Sequence, residues 1–257
     1  MQQETRIGEV SDLLLDFAIS LMGAGSHTSR VVRNVVRVAT ALGYEVHLTI
    51  FQKNVTMMVK DLNSAEWVTA VRRIKPMALN FRIISSLSTL SWDAFDNHLS
   101  LEEIRIRYEQ IMTHPRMSRW LVLFLVACAN ASFCKLFGGD AIAMGLVFLG
   151  TLVAFYVRQE MMNHHLNHFI VFIVAAFVSS IITGIGVHYN LGSTPDIALA
   201  TSVLFLVPGV PLINSIMDIL EGHVLAGISR MVNATILIIC LSIGFLITLL
   251  MLGLEKL

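Results

Sequence analysis

At 257 residues, 55% hydrophobic and 14% charged, with a mean hydropathy of +0.72, the chain is too apolar for an ordinary soluble domain. Net charge is zero and no long basic run appears, which argues against nucleic acid as a partner. The charge is unevenly spread: 14 of the 18 Lys and Arg and 12 of the 18 Asp and Glu precede Trp120. That asymmetry predicts a soluble α+β domain over 1–118 and an all-α membrane domain over 119–257.

Residues 1–20 do not read as a signal peptide, because Glu4, Glu9, Asp12 and Asp16 interrupt any apolar core. Residues 7–22 carry Val10, Leu13, Leu14, Phe17, Ala18 and Leu21 at helical spacing, with Asp12 and Asp16 on the other face. Gly23-Ala24-Gly25-Ser26 ends that helix, and Ser26 is a candidate N-cap for a second helix over 27–42. Arg30, Arg33 and Arg37 form a stripe along the second helix, which Gly43 breaks. Residues 44–51 and 55–60 read as strands joined by Gln52-Lys53-Asn54, and 67–74 as a third strand that Pro76 stops. A helix over 78–95 follows, and Ser100-Leu101-Glu102-Glu103 is a capping box opening another that runs to about Thr113.

Beyond that point five stretches have the ~17–25 apolar residues that a membrane helix needs: 120–136, 141–157, 169–187, 197–213 and 232–254. The first two are short enough for a re-entrant pair, but Lys135 and Asp140 flank Gly138-Gly139 as a tight turn would. Loop charges favour a cytoplasmic N-terminus: Arg105, Arg107, Arg116 and Arg119 precede the first span, and Arg158 and Arg230 fall in the second and fourth loops. The third loop lacks Lys and Arg, Lys135 and Lys256 are single exceptions, and the C-terminus is expected in the periplasm. Cys128, Cys134 and Cys240 lack CxxC spacing and read as packing residues, not as a disulfide or metal set.

The stretch that organises this half is Val207-Pro208-Gly209-Val210-Pro211-Leu212-Ile213-Asn214, followed by Asp218, Glu221, Gly222 and His223. Two prolines around a glycine kink or open a helix, and the freed backbone groups must find partners in protein or in a wet cavity. A carboxylate just beyond such a break is the usual construction of a transport site; a packed structural kink is the alternative. Asp218 and Glu221 share a helical face. Asp218 suits an alternately protonated carboxylate, or else pairs with Arg230 in a hydrated helix. Lys135 meets an anionic substrate at the mouth of a pathway, or is an interfacial anchor beside a turn.

Asn163-His164-His165-Leu166-Asn167-His168 places His164 and His168 at i, i+4, but no third ligand type accompanies them. A juxtamembrane loop or a pH sensor explains them better, so neither metal nor cofactor is expected. Ser26, His27 and Arg30 at a helix start suggest capping first, anion or partner binding second, and catalysis last.

Gly25-Ser26-His27-Thr28-Ser29-Arg30-Val31, Phe133-Cys134-Lys135-Leu136-Phe137-Gly138-Gly139-Asp140 and Val207-Pro208-Gly209-Val210-Pro211, with Asp218, Gly222 and Arg230, resemble the threonine/serine exporter family over nearly the whole chain. The resemblance implies the larger subunit of a split, two-component exporter of the bacterial inner membrane, working with a small separately encoded membrane subunit; a homo-oligomer is the other assembly left open. It implies a secondary, proton-driven carrier and not an enzyme. Its substrate would be a small carboxylate, a succinate-like dicarboxylate ahead of threonine or serine. Pro208, Gly209, Pro211 and Asn214 would form the opened helix, Asp218 would carry the coupling proton or pair with a cation, and Lys135 or Arg230 would offset substrate charge, with Asp140 beside the pathway. His27 and Val32 stand where amino-acid exporters carry acids, which suits a more negative substrate. A membrane-tethered hydrolase or sensor using Ser26, His27 and Arg30 is the alternative from another class.

Overall fold

The computed structural model describes residues 2–51, 53–64, 66–75, 77–115 and 117–254, with side chains from residue 6 onward. The expectations attached to Glu4, Gln52, Pro76, Arg116 and Lys256 lie outside these residues. The chain is 71% helical, with a small sheet near its N-terminus. Its contacts divide it into two units: Met1–Pro115 with Val210–Val232, and Arg116–Gly209 with Asn233–Leu257. The division expected from charge follows covalent order; packing groups Val210–Val232 with the N-terminal residues.

The first unit runs α1 (Gln2–Gly23), α2 (Thr28–Ala41), β1 (Tyr44–Ile50), β2 (Asn54–Asp61), β3 (Trp67–Arg73), α3 (Phe81–Asp96) and α4 (Leu101–Thr113). The strands pair antiparallel in the order β1-β2-β3, with Val46 opposite Val59 and Met57 opposite Ala70. Alternation in β2 buries Val55, Met57 and Val59, which join Leu13, Leu14, Phe17 and Leu21 of α1 and Val31, Val35 and Val38 of α2 in one core. On the far side of α1, Arg72 of β3 bridges Asp12 and Asp16. Ser100 and Glu103 close the expected capping box on α4, and the Asn80 side chain caps α3.

Ser26 does not cap α2. The N-cap is His27, in extended conformation, and among the described residues no hydrogen bond from its side chain serves the helix. The Ser26 hydroxyl instead donates to the His27 carbonyl at 3.4 Å.

The second unit holds α5 (Arg119–Leu136), α6 (Ala141–Asn163), α7 (His168–His188), α8 (Pro195–Thr201) and a 3-10 turn over Leu204–Leu206. The chain then breaks at Val207-Pro208 and resumes as α9 (Gly209–Leu220), which belongs to the first unit from Val210 on, and α10 (Val224–Leu252), which begins in the first unit and continues into the second. Among the described residues four helices are long and apolar enough to cross a membrane, and a fifth span arises if the broken pair Pro195–Leu206 and Gly209–Leu220 counts as one. Pro211 sits in the first turn of α9, where its missing N–H costs no helical bond.

Two charges expected in loops lie on helices instead. Arg158 belongs to α6, which extends to Asn163, and packs its guanidinium over Phe155 and Phe172. Arg230 belongs to α10, which begins eight residues before the apolar stretch that suggested it. Polar residues continue both helices past their apolar windows; in α6, Glu160 pairs with Arg119 at 2.6 Å.

The helix break leaves backbone groups to satisfy, and the second unit does so with side chains. The Ser202 carbonyl accepts from Asn130 Nδ2 of α5 at 3.3 Å and from the Ser179 hydroxyl of α7 at 2.7 Å. Asn130 also donates to Thr151 of α6 at 2.7 Å, and Ser180 of α7 meets Thr248 of α10 at 2.6 Å. All of these polar side chains are buried.

Candidate functional site

The first unit brings the end of α1, the start of α2 and the polar face of α9 together. α1 closes with a Schellman pattern, Gly25 N–H to Met22 O and Ser26 N–H to Leu21 O, and Gly25 at φ +96° supplies the left-handed residue that this closure needs. The chain then extends through Ser26 and His27 and re-enters helix at Thr28, leaving the first N–H groups of α2 without intrahelical acceptors.

α9 supplies the missing acceptor. Asn214, Asp218 and Glu221 recur at i, i+4 and i+7, so they project from one side of the helix and the turn that ends it. The Asn214 amide donates to the Gly25 carbonyl at 2.7 Å. The Asp218 carboxylate is fully buried, and its Oδ1 accepts the Thr28 N–H at 2.6 Å. A carboxylate there also meets the positive end of the α2 dipole. Asp218 Oδ2 lies 3.2 Å from Arg230 Nε, an ionic approach off the N–H axis, so that oxygen has no hydrogen bond among the described residues. The other end of the Arg230 guanidinium rests 3.5 Å from the Met22 sulfur, a weak acceptor.

Glu221 sits in the turn between α9 and α10, 3.2 Å from His27 Nδ1 and 3.4 Å from Arg33 Nη1. A hydrogen bond from Ser29 and the Arg33 and His27 charges hold its carboxyl below the usual carboxylate range, against the opposing pull of burial.

Arg30 and the cavity beside it complete this region. Arg30 Nε donates to the Ser88 hydroxyl at 3.2 Å, and Arg37 stacks on the Trp92 ring, 3.5 Å from its centroid. The Ser26 hydroxyl donates to the His27 carbonyl, and among the described residues it has no hydrogen bond to the His27 ring. Sequence reasoning identified Arg30 and the arginine stripe but missed Asn34, Ser88 and Trp92, which come from buried or separate helix faces. It also missed Thr28, whose contribution is a backbone N–H.

Of the pathway candidates, Asn214, Asp218 and Arg230 meet in this unit. Pro208 and Gly209 form the break itself, with Pro208 buried and Gly209 opening α9. Lys135 and Asp140 belong to the second unit. Lys135 is exposed in the last turn of α5. Asp140 caps α6, accepting from Ala143 N–H at 2.7 Å, and binds the N–H and hydroxyl of Ser193 at 2.5 and 2.9 Å. Those bonds, the Ala143 N–H foremost, lower its carboxyl to about 2. Among the described residues no group of three or more His, Cys, Asp or Glu could hold a metal ion.

The family model of threonine/serine exporters (ThrE) matches residues 12–252. The chain is 30% identical over 247 residues to "Probable succinate transporter subunit YjjP" of Klebsiella aerogenes, covering 96% of this chain and 95% of that one. The Escherichia coli protein of the same name is 28% identical, with 96% of each covered. "Probable threonine/serine exporter" of Mycobacterium tuberculosis is 21% identical over 94% of this chain and 46% of its own length. No solved structure matches.

Proposed function

The chain belongs to the threonine/serine exporter family, and from that premise we propose that it is the larger subunit of a two-chain exporter of a small carboxylate, a succinate-like dicarboxylate ahead of threonine or serine. Membership makes it a multi-pass membrane transporter and not an enzyme. Two relatives of nearly equal length are named as succinate transporter subunits, which supports both the substrate class and a partner chain. The partner of this proposal is a small, separately encoded membrane protein.

The observation that carries the mechanism is Asp218, buried just past the Pro-Gly-Val-Pro break between the α2 N-terminus and Arg230. With Asp218 ionised, Arg230 is neutralised and α9 is latched to the α1–α2 connection. A proton on Asp218 removes the countercharge, weakens the latch and leaves Arg230 to attract a substrate carboxylate. Lys135 is the alternative to Arg230 as the cation that offsets substrate charge. Because one carboxylate serves both the latch and the cation, proton entry and substrate entry are linked.

The reading places the protein in the bacterial inner membrane with its N-terminal residues in the cytoplasm, where they gate or regulate the inner mouth. Arg119, the Arg158 guanidinium and the stacked Trp120–Tyr156 pair all fall near the N-terminal end of α5 and the C-terminal end of α6, as basic and aromatic residues do at a cytoplasmic interface.

Efflux of labelled succinate, threonine and serine from cells lacking this chain and its small partner tests the reading, with each chain restored alone and then together. Succinate export that needs both chains supports it; export by this chain alone removes the partner, and no export of any of the three removes the substrate class. Unchanged export by Asp218→Asn would discard the proton-carrying role.

A further inference from the structure

The arginine stripe of α2 and the facing side of α3 line a cavity of about 260 Å³ that is open to one side. Its lining includes Arg30, Arg33, Arg37 and the His27 imidazole, and no carboxylate lines it. Among the described residues neither Arg30 nor Arg37 has a carboxylate within ion-pair distance; Asp96 acts on Arg37 from further away. Burial, then the Arg33 charge, pulls the Arg37 guanidinium below its ordinary value. Three guanidiniums on successive turns of one helix repel one another, and neutral hydroxyls and amides do little to offset that.

The polar wall is rigid. Asn34 Nδ2 donates to the Ser88 hydroxyl at 3.1 Å, Arg37 donates to Asn34 Oδ1 at 3.0 Å and to the Ser91 hydroxyl at 2.7 Å, and Ser91 donates back to Asn34 at 2.8 Å. Asn34 and Ser91 are buried. Trp92 holds the Arg37 plane from below. The Arg37 guanidinium is fixed in this way and Arg30 is held through Nε on Ser88, and guanidinium forks match the paired oxygens of an oxyanion. The volume lies below the ~300–1,000 Å³ of pockets for drug-sized ligands, so the occupant is a small metabolite.

The geometry points to this cavity as a binding site for a small dianion, a dicarboxylate or phosphate, which competes with Glu221 for Arg33 and His27. Glu221 already offers one carboxylate to the Arg33 guanidinium and the His27 ring from the α9–α10 turn. A dianion in the cavity supplies two negative groups in its place and frees that turn, three residues beyond Asp218. Occupancy of the N-terminal unit is thereby coupled to the helix that carries the latch. The binding half of this inference stands apart from the exporter reading; the coupling to Asp218 rests on it.

The test is calorimetric titration of the full chain in neutral-lipid nanodiscs with succinate, inorganic phosphate and uncharged succinamide. Wild type binds a dianion saturably and succinamide not at all. Arg30→Gln weakens binding about tenfold or more, the usual worth of a charged hydrogen bond; Arg33→Gln, at an exposed position, does so severalfold. Glu221→Gln tightens binding severalfold by removing the internal competitor. No saturable binding by wild type, or equal affinity in wild type and both arginine variants, overturns the site. Loss of the Arg30 effect in favour of a response to phosphatidylglycerol nanodiscs alone assigns the charge to lipid and overturns it too. None of these readings needs the partner chain or a proton gradient, so efflux can fail while binding holds.

Discussion

Asp218 accepts a hydrogen bond from the backbone N–H of Thr28, 190 positions earlier in the chain, at 2.6 Å. A helix start that lacks a capping side chain of its own is capped by a carboxylate from the helix after the Pro-Gly-Val-Pro break. The same carboxylate neutralises Arg230, so one buried group answers two electrostatic demands.

Removing that charge separates the demands. Asp218→Asn keeps an acceptor for Thr28 but leaves Arg230 without its counterion. Losing one partner of a buried pair costs ~3–5 kcal/mol, and the 19% exposure of the Arg230 side chain puts the loss at the lower end. Adding Arg230→Met to Asp218→Asn recovers most of that stability, because no unpaired charge remains. Thermal unfolding in detergent should show a large fall in the single variant and a partial return in the double. Equal losses in both would mean that the ion pair contributes little.

The cap is tested from the other side by Thr28→Pro. Proline is favoured at the first helical position, and the extended His27 suits the residue before it, so α2 should still begin there. The variant replaces the N–H with a ring Cδ directed at Asp218, so its cost exceeds the ~1–3 kcal/mol of a buried acceptor deprived of its donor. Native-state hydrogen exchange should show α2 still protected and α9 opening more readily. Unchanged protection in α9 would show that the bond does not hold the two together.

How far these features were readable from sequence depended on their range. The capping box at Ser100 and Glu103, the glycine at Gly43 and the break at Pro208 are set by residues a few positions apart, and all stand where the pattern put them. Asp218 was recognisable as a carboxylate beyond a break, and its pairing with Arg230 was one of two open readings. Its use as a cap was not readable, because Thr28 contributes only a backbone N–H and nothing in its side chain announces it. Ser26 was the better cap by residue type; the Schellman closure moved the N-cap one position on. Arg158 and Arg230 read as loop residues in the sequence because an apolar window marks the lipid-facing part of a helix and not its hydrogen-bonded ends.

Asp140 gives a pH dependence of defined sign. Its folded carboxyl sits at about 2, below the ordinary value of 3.8, so its contribution to stability is present above about 4 and fades as pH falls toward 2. Lowering pH through that window should loosen the bond between the α6 N-terminus and the 193–194 loop. In Asp140→Asn that part of the acid dependence disappears, which a series of melts between pH 5 and pH 2 would reveal. An identical acid profile in the variant would assign the loss to other carboxylates.

Gly244 of α10 packs directly against the backbone of α7. A Cβ there would meet Ala176 Cβ at 2.9 Å and Phe177 N at 3.0 Å, besides the Ile173 carbonyl. Two of these atoms are backbone and cannot swing aside. Gly244→Ala should therefore push the helices apart and strain the Ser180–Thr248 bond one turn on, for a loss of roughly 1–3 kcal/mol. Gly145→Ala, at a position with open space, is the matched control and should change little. Equal behaviour of the two would show that close helix contact is not what Gly244 provides.

The Ser202 carbonyl tests whether the break in the fourth span is held by side chains of its neighbours. Asn130 and Ser179 both donate to it, from α5 and α7. Either Asn130→Ala or Ser179→Ala leaves one donor in place, so each single change should cost at the low end of the ~1–3 kcal/mol expected for a buried polar group deprived of a partner. The double variant strips both donors at once from a carbonyl that water does not reach, so its loss should exceed the sum of the singles. Such a coupling of 0.5 kcal/mol or more is the signature of shared satisfaction in a double-mutant cycle. Strict additivity would mean that the carbonyl finds another donor when these are gone, and that the break is stabilised by packing around Val203 and Leu206 rather than by this pair of hydrogen bonds.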